Sequence, residues 1–477
     1  MKLVFDIEAN GLIELQIAKD EPVPEADRVW CMVIMDIDTH HGWTFKEEEI
    51  SSGVNLLRSA DLLIGHNIIS YDIPLLERLH GSIDTPVFDT LILSKLMYPD
   101  RQNHPLGGNA LKDWGKFLKC EKMEYDLGFS EYKEEMLEYC KKDVIVSRKV
   151  YFHQLCFAEK NSKPVSLEHK LARIITTQTN NGIGFDVDKA HQLEHDLLME
   201  KVLIEDDMSE VFPPITEERW SDKTGKQLKS KTIHFNPASR QQIAQRLKNK
   251  YKWNAPKTDK GNPKVDSSVL KELPYPEAKA LVKYFDIVKL LSQVQDWITR
   301  SINSRDGRIH GSVNTQGTVT GRMTASQPNL QQVSNDPRAR ALFIPRDTWS
   351  QVGIDASGLE ARLLANRMAR WDGGAYGDVV INGDIHSTNQ TAAGLDTRSG
   401  AKTFFFALIY GAGDAKIGKI VGKGSREGKE IKNKFLNEMP ALKNLINNCH
   451  FQVAKKGTLT LLDGREVPCR ANHKALN

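Results

Sequence analysis

The sequence predicts a multidomain chain: an α/β domain first, then a mainly helical region, then a mixed α+β part. Three observations carry this expectation. Near the N-terminus, apolar runs at 1–9, 29–37 and 61–65 read as strands, with helical patterns at 71–80 and 131–152, so the α/β domain should end near residue 155. Residues 165–300 alternate helix-like segments, such as 187–202 and 239–249, with polar loops rich in Lys, Pro and Gly, such as 250–266. From 301 onward, Gly-punctuated strand candidates at 309–313 and 350–354 precede helical patterns at 357–370, 386–393, 399–410 and 426–448.

Composition narrows the class. A chain of 477 residues is too long for a small module and accommodates two to four packed cores. Ordinary Gly and Pro usage with 27% charged residues excludes disorder throughout, and no long apolar run lacks charge, so no membrane span is expected. The apolar stretch of MKLVFDIEAN meets acids too early for a signal peptide, which points to the cytoplasm of a bacterium or infected host. Six cysteines (31, 120, 140, 156, 449, 469) form no C-x-x-C and no zinc-type spacing, as suits buried thiols in a reducing compartment. The net charge of +3 is too small to announce a polyanionic partner, so local charge must decide.

In the first strand Asp6 and Glu8 stand two apart, so both carboxylates leave one face and can share a cation. Alone, the pair also reads as two acids at a solvated strand end. Further acids follow: Asp72 in IGHNIISYDIP, after a predicted strand, and Asp143 in EYCKKDV, on a predicted helix with Tyr139 one turn earlier on the same face. Unpaired carboxylates packed together repel and raise one another's pKa, so four that converge imply hard divalent cations, Mg²⁺ or Mn²⁺. Two such ions activate water at a phosphodiester, and Tyr139 would orient that water. His66 and Asn67 take supporting roles, and Asp84 and Asp89 read as loop and helix-cap acids.

The segment GSVNTQGTVTGRMTASQPNLQQVSNDPRARALF combines Gly with uncharged donors and places Arg322, Arg338 and Arg340 among them, which suits a sugar-phosphate track. An ordinary polar loop is the alternative for any short slice of it. Asp355, in VGIDASGLEARLLA, is expected at a strand–helix junction, where a strand-end carboxylate fits a metal ligand, with Leu359, Leu363 and Leu364 forming one apolar side of the helix. Glu360 either caps the helix end or restricts a sugar pocket; His386, in GDIHSTNQ, either contacts phosphate or caps its neighbourhood. In DTRSGAKTFFFALIYGAG, Arg398, Lys402, Phe406 and Tyr410 follow at i, i+4 steps, so two cations and two aromatics share a face, while Phe404, Phe405 and Leu408 supply buried faces. The cations suit phosphates and the aromatics a base. Between 416 and 434 the chain is strongly basic (Lys416, Lys419, Lys423, Arg426, Lys429, Lys432 and Lys434), which favours contact with a nucleic-acid backbone.

DIEANGL, HNIISYD and YCKKD resemble, in order and spacing, the three motifs of the proofreading DEDDy-type 3′–5′ exonucleases. TVTGRMTASQPNLQQ, DASGLEARLLA and RSGAKTFFFALIYG resemble the template-primer motif, first palm motif and fingers helix of family A DNA polymerases, which include bacterial DNA polymerase I and the replicative enzymes of small tailed phages. The resemblance implies a ribonuclease H-like exonuclease domain at 1–155, a linker and helical thumb at 156–300, an α+β palm with the template-primer motif at 301–385, and fingers helices at 386–477. It implies a DNA-directed DNA polymerase with a proofreading exonuclease, acting in replication with two Mg²⁺ or Mn²⁺ ions per active site. Asp355 would bind palm metal, Glu360 would help exclude ribose, and Arg322, Arg340, His386, Arg398 and Lys402 would hold primer or triphosphate. Tyr410 would pack near the templating base, and Phe406 would disfavour dideoxynucleotides. The partners implied are primer-template DNA and deoxynucleoside triphosphates, with a helicase or single-strand-binding protein besides. No stretch resembles a thioredoxin-binding insertion.

The family's late HDE palm motif does not occur in these 477 residues. The palm is therefore expected to be incomplete and synthesis by the lone chain deficient, with a second polypeptide, an interrupted frame or a partial sequence as the explanations. The alternatives are a metal-dependent 3′–5′ exonuclease alone, or a non-catalytic primer-template-binding subunit of a split polymerase.

Overall fold

The computed structural model describes residues 1–469 except 13–15, 19–20, 24, 101–102 and 221–224. Strand β1 (Lys2–Ala9) is followed by a hairpin of β2 (Gln16–Ala18) and β3 (Glu21–Val23), then by β4 (Val29–Asp36) and β5 (Gly42–Lys46). Next come α1 (Ile50–Arg58), β6 (Leu62–Gly65), α2 (Asp72–His80), β7 (Val87–Asp89), α3 (Thr90–Met97), α4 (Leu111–Phe117) and the 27-residue α5 (Glu134–Lys160). The sheet order is β5-β4-β1-β6-β7, with β1 antiparallel to β4 and parallel to β6. The three expected strands are thus β1, β4 and β6, and the two expected helices are α2 and α5.

Alternation along β1 sorts its side chains. Leu3, Phe5 and Ile7 pack with Ile50, Val54 and Leu57 of α1 and Ile73 and Leu76 of α2. Val4 faces the other way, against Met136, Leu137, Cys140 and Val144 of α5. Asp6 and Glu8 share the parity of Val4, so the two-residue period turns both acids toward α5.

The helical region comprises α6 (Ser162–Asn181), β8 (Gly184–Phe185), α7 (Val187–Val211), a hairpin of β9 (Ile215–Trp220) and β10 (Gln227–Ile233), α8 (Arg240–Tyr251), α9 (Ser267–Leu270) and α10 (Pro276–Asn303). Leu193, Leu197, Ile204 and Met208 of α7 meet Leu281, Ile287, Leu291, Val294 and Trp297 of α10 in one core. The charge-rich β9–β10 hairpin has no apolar alternation to announce it.

The last part holds β11 (Ser312–Asn314), β12 (Thr324–Ser326), α11 (Pro337–Arg340), β13 (Phe343–Ile344), α12 (Leu359–Asp372), α13 (Ala375–Asn382), α14 (Ile385–Ala393), α15 (Arg398–Ile409), α16 (Asp414–Ile420), α17 (Ser425–Glu438), α18 (Pro440–Lys456), β14 (Thr458–Thr460) and β15 (Glu466–Pro468). Three expectations are corrected here. Residues 350–354 form no strand, because no neighbouring strand pairs with them, and Val352 and Ile354 stay 74% and 93% exposed. The buried side of α12 is Ala361, Ala365 and Met368, whose small residues approach neighbouring helices, while Leu359 and Leu363 are exposed. The single helix expected at 426–448 is two, because Pro440 has no N–H to continue α17 and instead occupies the first turn of α18.

Phe404, Phe405 and Phe435 are fully buried in the core that joins α12 to α18. Helices α16 and α17 touch through glycine: a Cβ on Gly428 would lie 2.1 Å from Asp414 O and 2.6 Å from Gly418 N. The β14–β15 turn is tied to α6 by Arg465, which donates to the buried Glu168 (2.6 Å).

Candidate active sites

The first site lies where β1, α2 and α5 meet. Asp6 and Glu8 project from β1, Asp72 opens α2, and Asp143 stands one turn beyond Tyr139 on α5. Glu8, Asp72 and Asp143 are buried, and Tyr139 is half-buried. Asp72 Oδ1 accepts from the Ile7 N–H (3.2 Å), which fixes the start of α2 against β1 between the two acids. Cys140, fully buried, donates its thiol to Asp6 O (3.3 Å) and lies 3.7 Å from Asp6 Oδ2. Among the described residues, Asp6, Glu8 and Cys140 bring ligand atoms within 4.8 Å of one another.

Burial dominates the electrostatics. It raises Asp6 well above the usual carboxylate range, with further upward pushes from Asp72, Asp143 and Glu8. Burial and then Asp143 raise Glu8 to about 9. Asp72 rises to about 7 by burial, opposed by backbone N–H donors, and Asp143 rises by burial to about 6, opposed by Lys122. Asp143 Oδ1 is buried with no hydrogen-bond partner. Hard oxygen donors, an unpartnered buried carboxylate oxygen and carboxyls that hold their protons for want of positive charge together fit a divalent cation.

Around this site, Asp89 caps α3: its carboxylate accepts from the N–H groups of Asn67, Ile69 and Leu91. His66 pairs with Thr90 Oγ1 (2.8 Å), and burial lowers its pKa to about 4. Two participants escaped the sequence reading. Cys140 looked like one more buried thiol, and Lys122, which ion-pairs with Asp143 (2.5 Å), sits in a stretch without periodicity.

In the second half the structure links residues far apart in sequence. Arg322 Nη2 donates to the Tyr410 hydroxyl (3.1 Å), and that hydroxyl donates to Glu360 Oε1 (3.0 Å). The guanidinium of Arg322 also lies 5.5 Å from the Tyr410 ring centre. Glu360 therefore sits in the first turn of α12, bonded to Tyr410, while Gly358 is the residue at the cap. Arg398 grips Asp384 through two hydrogen bonds (2.8 and 2.9 Å), and Asp384 caps α14 by accepting from the N–H groups of His386 and Ser387. Arg398 holds the Asp384 carboxyl well below its usual range. The cap that His386 was considered for is thus Asp384, which only the D-x-x start of GDIHS could have signalled. The rings of His386 and Phe406 lie 6.3 Å apart, and burial followed by Arg398 and Lys402 lowers the His386 pKa. Arg398, Lys402 and Phe406 lie on α15 and Tyr410 at its C-terminal cap, while Phe404, Phe405 and Leu408 are buried, as expected of a helix with two cations and two aromatics along one face.

Arg340 lies apart from this group, donating to Ser334 O and Asn335 Oδ1. Arg338 is tied to Asp336 and Glu200. Asp355 stands exposed on the unpaired segment before α12. Most of the basic stretch on α16 and α17 is exposed, with Lys419 paired to Glu272 of the helical region. Among the described residues no helix is long and apolar enough to cross a membrane.

The family described as DNA polymerase family A matches residues 216–476. The DNA-directed DNA polymerase of Escherichia phage T7 is 30% identical in an alignment that covers 100% of this chain and 87% of the relative, and that of Enterobacteria phage T3 matches to the same extent. DNA polymerase I of Aquifex aeolicus is 26% identical over 87% of this chain and 73% of its own length. Among solved structures, the POL domain of Pol1 from M. smegmatis in complex with DNA primer-template and dNTP covers 99% of this chain and 80% of that one with a TM-score of 0.73; at 18% identity it speaks for the fold. With a family match over more than half its length and whole-chain identity to two phage polymerases, the chain belongs to DNA polymerase family A, with an exonuclease-type domain ahead of its polymerase part.

Proposed function

We propose that the chain removes nucleotides from DNA 3′ ends at the Asp6–Glu8–Asp72–Asp143 cluster and carries, in its second half, the primer-template and nucleotide surfaces of a replicative polymerase. The observation that carries the first part is the convergence of these acids from β1, α2 and α5, with Tyr139 beside them. Two Mg²⁺ or Mn²⁺ ions held by the four carboxylates supply water activation and charge neutralisation when bound. Tyr139 orients the attacking water, the α5 face holds the 3′ end, and water adds across the terminal P–O3′ bond to release a nucleoside monophosphate.

On the synthetic side, Arg398 and Lys402 meet the triphosphate with His386 beside them, Phe406 faces the sugar, and Glu360 limits room at its 2′ position. Arg322 and Arg340 hold primer, Tyr410 lies by the templating base, and Asp355 is the palm metal ligand. The divisions follow as 1–155 exonuclease, 156–300 linker and thumb, 301–385 palm and 386–477 fingers. A second reading, excision without synthesis by the lone chain, is favoured by one observation: Asp355 stands exposed on a segment that pairs with no strand, so no sheet holds its carboxylate in place. A second polypeptide that brings further carboxylates beside Asp355 would then restore synthesis.

A 5′-labelled primer annealed to template tests both readings. Shortening with Mg²⁺ that Asp6→Ala and Glu8→Ala abolish supports the nuclease, and extension with dNTPs supports synthesis by this chain. Salt-sensitive binding with neither reaction would reduce the protein to a DNA-binding subunit.

A further inference from the structure

Lys122 enters the carboxylate cluster from a segment with no regular structure, yet its path is closely determined. Past α4, Lys119 takes a left-handed backbone (φ 51°), and the Cys120 N–H returns to Gly115 O (2.8 Å). A Cβ on Gly115 would lie 2.9 Å from Cys120 O and 3.2 Å from Lys122 N, so the segment lies directly on α4. Further on, the Tyr125 ring packs 5.5 Å from Tyr139 and 5.2 Å from Phe129, whose carbonyl accepts from Trp30 Nε1 (2.8 Å). The segment is therefore held at both ends.

Between these anchors, Lys122 Nζ lies 2.5 Å from Asp143 Oδ2 and 4.3 Å from the centre of the Tyr139 ring. Its side chain is 23% exposed against 5% for Asp143. One oxygen of Asp143 is thus occupied by the ammonium, and the other is buried without a partner. An ammonium on a flexible four-carbon stem can change partners without the backbone moving, but it cannot be left unpaired among apolar neighbours.

We propose that Lys122 is the resident cation of the excision site: it pairs with Asp143 until a divalent ion takes that carboxylate, and then pairs with a non-bridging oxygen of the phosphodiester beside Tyr139. The inference rests on the exonuclease reading above. It makes Lys122 both a competitor of the metal and a contact for the substrate phosphate. A structural strut would be neither.

The test uses the whole chain with Lys122→Met and Lys122→Arg. Mn²⁺ binding is followed by electron paramagnetic resonance, counting only sites that Asp6→Ala abolishes, and single-turnover excision is followed at saturating metal. Removing the competing cation should tighten Mn²⁺ binding several-fold in Lys122→Met. Losing the phosphate contact should slow excision by about tenfold or more. Lys122→Arg should keep wild-type Mn²⁺ affinity and excise within a few-fold of wild type, and it decides the matter alone if the Met variant does not fold. Unchanged or weaker Mn²⁺ binding in Lys122→Met overturns the proposal, as does an Arg variant that excises about tenfold or more slowly than wild type. A wild-type chain that neither binds Mn²⁺ at these sites nor excises instead overturns the exonuclease reading itself.

Discussion

Glu8→Gln removes a carboxyl that burial between β1 and α5, together with Asp143, keeps protonated to about pH 9, against an ordinary value of 4.5. The folded chain therefore holds a proton at Glu8 that the unfolded chain has already released. The stabilisation is fully present below the unfolded value and is lost as pH rises through the folded one, so without metal stability declines between roughly pH 4.5 and 9, at about 1.4 kcal/mol per pH unit. From pH 5.5 to 8.0 this one group accounts for about 3 kcal/mol, or roughly a 300-fold change in the opening equilibrium of the strand that carries it. Asp6, held well above the usual range by burial and the acids around it, acts with the same sign and remains in the Gln variant, whereas Asp72 and Asp143, raised to about 7 and about 6, act with the same sign but have largely spent their contribution by neutral pH. Hydrogen exchange of the β1 amides in EDTA, corrected for intrinsic rates, reads the effect directly. Wild-type protection should fall steeply over that interval, the Gln variant should fall less steeply by about the slope of one proton, and saturating Mg²⁺ should flatten the wild-type profile. Equal slopes for the two proteins in EDTA would refute the electrostatic account of the cluster.

Other outcomes follow from the same geometry. Asp143→Asn should reduce Mg²⁺-dependent excision of a labelled oligonucleotide by more than about 100-fold with a native circular-dichroism spectrum, and should lower the thermal midpoint because it also removes the Lys122 ion pair. Phe404→Ala, at a fully buried position, should cost about 3–5 kcal/mol and lower the melting temperature of the α12–α18 part. Gly428→Ala drives a methyl into Asp414 O and Gly418 N and should cost about 1–3 kcal/mol, visible as an earlier urea midpoint. Replacing Lys416, Lys423 and Lys429 by Ala should lower the slope of log affinity for primer-template against log salt by about 3, and an unchanged slope would remove this face from the DNA path.

Much of the exonuclease-type domain was legible because its signals are local. A short apolar run interrupted by Asp6 and Glu8 has only one strand parity, and the i, i+4 spacing of Tyr139 and Asp143 holds on any helix. The α15 face was legible for the same reason. Segments whose conformation depends on a neighbour were not. VGID reads as a strand, but a strand needs a pairing partner, and 350–354 have none. The β9–β10 hairpin carries no apolar alternation, and the division between α17 and α18 turned on Pro440 inside an otherwise helical pattern.

By itself the sequence determined which side chains share a face, and through its motifs the family. Both depend on backbone periods that every residue obeys. The tertiary structure alone decided how far those acids are withdrawn from water, that Lys122 arrives at Asp143 from a segment folded onto α4, and that Arg322, Glu360 and Tyr410 form one hydrogen-bonded chain. Desolvation and contact between distant segments arise only when separate elements pack together, and no local pattern in the chain records which ones will meet.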